Sequence, residues 1–200
     1  MPELKKHHNM MKNPFWVGKR LYFRGLEKSD LGKNYFQWLN DQEVTQYMYN
    51  GMFPNTKGRM KDFYNEVVDQ QKHVVFAIID KRVDRHIGNV GIHRINWKNG
   101  IGEYGIIIGE KKYHGKGYGE EATRMILDYI FRRVGLRRVW LGVHEAHKKA
   151  IAIYKKVGFK IEGCLRKEIY TDGQWHDRLI MGIMREEYLK KAGKKRGSHA

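Results

Sequence analysis

The residues between Gly109 and Ala122 are the best equipped in this chain to hold an anion. His114-Gly115-Lys116-Gly117-Tyr118-Gly119 places glycine at every second position. Glycines let backbone N–H groups approach a ligand that side chains would keep away. The run before the loop, Ile106-Ile107-Ile108, suits a buried strand. After it, Ala122, Met125, Ile126, Tyr129 and Ile130 recur at the spacing of one helix face. Strand, glycine loop and helix in that order make a phosphate or pyrophosphate site, because the first N–H groups of a helix lack internal partners and carry partial positive charge. A nucleoside-triphosphate loop would need Gly-x-x-x-x-Gly-Lys-Ser/Thr, and a dinucleotide loop Gly-x-Gly-x-x-Gly; this loop fits neither, since Gly115, Gly117 and Gly119 are spaced by two throughout. Taken alone, the loop is equally compatible with an ordinary strand-to-helix turn.

Bulk properties narrow the setting. At 200 residues and 41% hydrophobic, the chain can bury one core, so a single domain is expected. No apolar run approaches the ~20 residues that cross a membrane. Residues 1–14 carry charge and histidine but no apolar stretch of a secretory signal. The single cysteine, Cys164, excludes an intrachain disulfide framework and a cysteine-rich zinc site. It is expected to be a small buried residue on a strand, and a cytoplasmic location follows. The net charge of +17 favours anionic partners and opposes a polycationic substrate such as a polyamine. Part of that charge, at Lys190, Lys191, Lys194, Lys195 and Arg196, reads as a solvated tail rather than a nucleic-acid-binding one.

The elements that must position the loop can be read in order. Arg20 to Arg24 alternates like a first strand. Ser29-Asp30 is placed to cap a helix whose Leu31, Tyr35, Trp38 and Leu39 share a face, and Glu43 to Tyr49 reads as another short helix. Thr56 caps a third, from Lys57 to Gln71. Strands follow at His73 to Asp80, His86 to Ile95 and Ile101 to Ile108, with Asn99-Gly100 a hairpin turn. After the loop and its helix come a strand at Arg137 to Val143 and a helix at His147 to Val157 closed by Gly158. Strands at Lys160 to Tyr170 and Trp175 to Met184 flank an Asp172-Gly173 turn. The order is β-α-α-β-β-β-α-β-α-β-β, a mixed, mostly antiparallel sheet with a central β-α-β crossover.

The loop and this order resemble the GNAT N-acetyltransferase family, whose acetyl-CoA loop is written Gln/Arg-x-x-Gly-x-Gly/Ala, with His114 at the Gln/Arg position. Three further stretches carry the resemblance: Glu103 to Glu110, Ala150-Ile151-x-x-Tyr154-Lys155-x-x-Gly158-Phe159, and Tyr170-x-Asp172-Gly173-x-Trp175-x-Asp177. It is closest to the branch of ribosomal-protein-alanine and spermidine acetyltransferases and runs from about Arg20 to Tyr188. The domain is expected at 19–188, between an N-terminal extension (1–18) and a basic C-terminal tail (189–200). The fold implied is a single α/β domain with splayed middle strands.

The resemblance also assigns roles. Gly115, Lys116, Gly117, Tyr118, Gly119 and Glu120 would hold the pyrophosphate of acetyl-CoA, with Lys111 and Lys112 nearby. The strand Ile106, Ile107, Ile108 would pair with the pantetheine arm, an N–H of Ile107 or Ile108 facing the thioester oxygen. Tyr154 would be the general acid for the leaving thiolate, whose pKa of ~8.5 asks little of the donor, and Glu103 the base for the amine. His147 stands where relatives often have asparagine against the pantetheine arm. Glu120 stands where they often have threonine, and a carboxylate there is unfavourable unless it points away from the phosphates. Glu121 is either a dipole-compensating residue or a substrate contact. The pair His144 and His147 has metal-ligand spacing but no acidic or cysteine partner, so no metal is expected.

The function expected is acetyl transfer to a primary amine by direct attack, on a small-molecule acceptor that the charge suggests is an anionic, nucleotide-linked amino sugar. Alternatives are the N-terminus of a ribosomal protein, or a non-catalytic CoA-binding or RNA-associated module. A nucleic-acid or ribosomal partner is not favoured, a membrane is excluded, and a monomer or homodimer is expected.

Overall fold

The computed structural model describes residues 11–32, 34–68 and 71–196, with side chains through 192. Most of the expected N-terminal extension (1–10), residues 69–70 of the span expected for the third helix, and the last residues of the expected tail (197–200) lie outside them. Among the described residues eight strands form one sheet in the order β1-β2-β3-β4-β5-β6-β8-β7. They are β1 (Trp16–Val17), β2 (Leu21–Gly25), β3 (Val74–Asp80), β4 (Arg85–Asn96), β5 (Ile101–Ile108), β6 (Arg138–His144), β7 (Lys160–Thr171) and β8 (Gln174–Met184). All neighbours are antiparallel except β5 and β6, which the crossover makes parallel.

The α-helices of the described residues are α1 (Asn34–Trp38), α2 (Gln42–Thr45), α3 (Lys57–Val68), α4 (Tyr118–Tyr129), α5 (Lys148–Val157) and α6 (Arg185–Arg196). The apolar stripe of α4, with Ala150, Ile151 and Val157 of α5, packs on Leu21, Phe23, Ile92, Val139, Leu141 and Val143 in the main core. On the other face, Tyr35 and Trp38 of α1 and Met60 of α3 close on Ile107 of β5. Gly158 ends α5 at φ +132°, its N–H donating to Tyr154 O at 3.0 Å.

Several expectations are corrected. Ser29 and Asp30 do not cap a long helix; they lie in a separate 3-10 turn (Lys28–Asp30), because Asp30 is buried against Arg24 at 2.7 Å. Cys164 is exposed, since β7 is an edge strand that no helix covers and its Sγ donates to Asp177. The chain beyond Tyr188 continues as α6, and Tyr188 is buried with its hydroxyl donating to Arg124 O. No helix among the described residues is long and apolar enough to cross a membrane.

Candidate active site

The sheet opens in its middle. β5 pairs with β6 only over Ile101–Glu103 opposite Arg138–Trp140. β4 follows β5 to Ile108, and β8 follows β6 to His144. The two parallel strands therefore diverge above Glu103 and leave a slot. Alternation decides which groups face it. Gly109 N donates to Ile87 O of β4, and Gly100 O accepts Arg137 N on the β6 side. Even-numbered residues of β5 thus turn their backbone groups to β6 and the slot, and odd-numbered ones to β4. Ile106 and the N–H of Ile108 offer the unpaired edge, whereas Ile107 turns its side chain into the α1–α3 cluster and its N–H to β4.

At the open end stands the glycine loop. Gly115 and Gly117 have φ of +70° and +78°, a backbone that other residues adopt at a cost. A Cβ on Gly115 would meet nothing within 4 Å. Gly117 caps α4 without a side chain, and the first helical bond is Glu121 N to Gly117 O at 3.1 Å. The N–H groups of Tyr118, Gly119 and Glu120 thus lack helical partners and fit an anion. His114 Nε2–H donates to Ile108 O at 2.6 Å, tying the loop back to β5. Tyr118 is buried, its ring edge-on to Tyr113. Glu120 points away from the loop: Arg124 and Lys156 bond its two oxygens at 2.9 and 2.7 Å. Burial works against the charge of this carboxyl, but those two cations hold it below the usual carboxylate range. Lys111 is engaged by Asp41 and Glu43. Lys116 remains exposed beside the loop.

Sequence reasoning missed the residue that anchors the loop. Arg20, just before β2, pairs through Nε with Glu121 Oε2 at 2.7 Å and donates through Nη1 to Lys116 O at 2.9 Å. Its guanidinium lies 4.2 Å from the centre of the Tyr118 ring. Glu121 also accepts the backbone N–H groups of Arg20 and Leu21. Its carboxylate thus binds loop and helix to β2.

The two residues expected to do proton chemistry lie on opposite faces of the sheet. Tyr104 turns to α4 and α5, where its hydroxyl bonds Thr123 and its ring meets Tyr154 edge-on at 5.8 Å. Burial alone pushes the Tyr154 hydroxyl up to about 12, so it stays protonated at neutral pH. Glu103, one residue earlier on β5, faces α1–α3, with its carboxylate held by Arg94 at 3.0 Å and Arg178 at 3.6 Å. Alternation along β5 therefore puts Tyr104, with Tyr154 of α5 against it, on one face and the Glu103 carboxylate on the other. His147 begins α5 without a side-chain cap bond and stacks on Tyr47 at 4.4 Å. Burial first, then the charges of His144 and Lys149, lower its pKa and keep it neutral. Tyr47, which comes just after α2, also touches His144 of β6. No local sequence signal marks Tyr47, Arg94 or Arg178.

A sheet split between parallel strands, with an uncapped glycine loop at the open end, is the arrangement that the resemblance to coenzyme-A-dependent acyltransferases implied. Residues 20–160 match the acetyltransferase (GNAT) domain family. Spermidine N(1)-acetyltransferase of Escherichia coli is 30% identical over 166 residues, 83% of this chain and 87% of that protein. A prophage-derived uncharacterised N-acetyltransferase of Bacillus subtilis is 29% identical over 175 residues, covering 87% and 95%. The crystal structure of spermidine N-acetyltransferase from Vibrio cholerae in complex with CoA and spermine has a TM-score of 0.79 at 27% identity, covering 86% of this chain and 99% of that one. The chain belongs to the GNAT acetyltransferase family: it is an acetyl-CoA-dependent N-acetyltransferase.

Proposed function

We propose that this enzyme transfers the acetyl group of acetyl-CoA to the primary amine of a small molecule, by direct attack within a ternary complex. The slot between β5 and β6 carries the reading, because it presents an unpaired strand edge leading from an anion loop to a protonated tyrosine. The N–H groups of Gly115, Gly117, Gly119 and the first turn of α4 bind the pyrophosphate. Ile106 and Ile108 pair with the pantetheine arm as an added strand would, and an N–H of this edge stabilises the thioester oxygen as it gains charge. His147, held by Tyr47, borders the same arm.

Glu103 attracts the acceptor ammonium on the α1–α3 face and takes up its proton, directly or through water. The amine nitrogen then bonds to the acetyl carbon and the carbon–sulfur bond breaks. Tyr154 gives its proton to the departing thiolate and regains one from solvent.

The relatives named for spermidine support a small amine as acceptor. The test is to incubate the enzyme with acetyl-CoA and single amines, measuring free thiol and N-acetyl product together. Equal amounts of both are expected for at least one small amine. A protein that acetyl-CoA stabilises but that acetylates no amine would contradict the proposal.

A further inference from the structure

Two arginines reach Glu103 by separate structural devices. Arg94 lies on β4, where the register to β5 slips between His93 and Asn96, so that three steps on β4 face two on β5. In a regular strand Arg94 would point to the α4 side, where Ile92 is buried. The bulge and a φ of +48° at Arg94 turn it to Glu103 instead, and Ile95 takes the place in the core. A left-handed conformation in a non-glycine residue is strained and persists where its surroundings impose it. Bulges of this kind re-aim side chains beside functional sites. Arg178 arrives from β8, its guanidinium lying over Gly142 of β6. A Cβ at Gly142 would overlap that guanidinium, so the glycine gives Arg178 its seat.

An exposed ion pair contributes little and does not offset the strain at Arg94, a side chain 76% exposed. One arginine would also suffice to neutralise Glu103. We infer that Arg94 and Arg178 form an anion-reading pair beside the reacting amine. The preferred acceptor is then a primary amine carrying a carboxylate or phosphate a few bonds from its nitrogen. This rests on the proposed role of Glu103 at the acceptor amine.

Such a zwitterion exchanges partners without stranding a charge. Its ammonium replaces a guanidinium at Glu103, and its anion receives the freed N–H groups, which match carboxylate or phosphate oxygens in pairs. A polycation would have to displace both guanidiniums from Glu103 and could pair with neither. Glu168, 3.5 Å from Arg178 Nη1, holds the far side of that guanidinium. His93, across from Glu103 on β4, is neutral at pH 7 and adds no compensating charge. The net charge of +17 acts in the same direction at longer range.

The experiment compares matched amines at saturating acetyl-CoA: β-alanine against propanolamine, glucosamine phosphate against glucosamine, and spermidine. The full-length enzyme should show a higher kcat/KM for at least one anion-bearing member of a pair, and a low value for spermidine. The carboxylate and phosphate pairs tell which anion it reads. Arg94→Gln and Arg178→Gln should each reduce the anion-bearing to neutral ratio roughly tenfold to a hundredfold, the loss of a hydrogen bond to a charged group. Acetyl-CoA affinity should stay unchanged. A preference for spermidine, or a uniform loss across all amines in both variants, would overturn the inference while leaving acetyl transfer intact. No turnover with any amine would overturn both.

Discussion

Replacing Arg20 with methionine should loosen the glycine loop while leaving the core filled. The change removes the ion pair to Glu121 at 2.7 Å, the bond to Lys116 O at 2.9 Å and the contact with the Tyr118 ring at 4.2 Å. Glu121 keeps the backbone N–H groups of residues 20 and 21, so no buried carboxylate is stranded. Charge-assisted hydrogen bonds contribute about 1.5–3 kcal/mol when shielded and less when exposed, and an exposed cation–π contact adds roughly 0.5–1. The Arg20 side chain is 37% exposed, so a total of about 2 kcal/mol is expected. In a domain of this size that lowers Tm by roughly 4–8 °C. The freed loop must also be ordered when it closes on pyrophosphate, so the Kd for acetyl-CoA should rise about tenfold, equivalent to ~1.4 kcal/mol. Thermal melts and calorimetric titration measure the two effects. Arg20→Lys should recover stability in part, keeping the charge without the planar fork. Arg20→Met with wild-type Tm and wild-type acetyl-CoA affinity would refute the anchoring argument.

Other outcomes follow from the same geometry. Gly117→Asp puts a side chain at φ +78° and a negative charge in the anion cradle, so acetyl-CoA should no longer raise the thermal midpoint as it does for the wild type. Tyr154→Phe should lower kcat about tenfold to a thousandfold with donor Kd nearly unchanged; an unchanged kcat, with chemistry rate-limiting, would make Tyr154 a packing residue. His93 titrates at about 4 in the folded protein, lowered from 6.5 by burial and then by His73 and Arg94. The unfolded chain therefore binds the extra proton between these values. The stability involved is fully present above pH ~6.5 and declines toward pH ~4, by at most about 3.5 kcal/mol at ~1.4 per unit. Urea titrations across that range should show a flatter pH dependence for His93→Gln than for the wild type.

What the sequence made legible was what is local. Ile101–Ile108 has the bounds expected of it, and Gly158 closes α5 as its position implied. The strand, loop and helix that make the anion cradle are contiguous, so their order is visible in the residues themselves. The slot beside them is not contiguous. It depends on β6 leaving β5 after three residues, which only the family resemblance suggested. Arg20, about a hundred positions from Glu121, has no local signature. Arg94 would have been assigned to the wrong face by simple alternation, because the bulge that turns it comes from pairing with β5. Net charge is likewise silent about local pairing. The summed +17 does not show that Glu103 lies between two guanidiniums, nor that Lys111 is neutralised by Asp41 and Glu43.

The central claim is direct transfer across the slot, from donor to amine, with no acyl-enzyme. Initial velocities measured while acetyl-CoA and the preferred amine are varied together test it most directly. Intersecting double-reciprocal lines, with no acetyl group on the protein by mass spectrometry when the amine is omitted, are the predicted result. Parallel lines, with a covalently acetylated enzyme that hands its acetyl group to the amine, would contradict it.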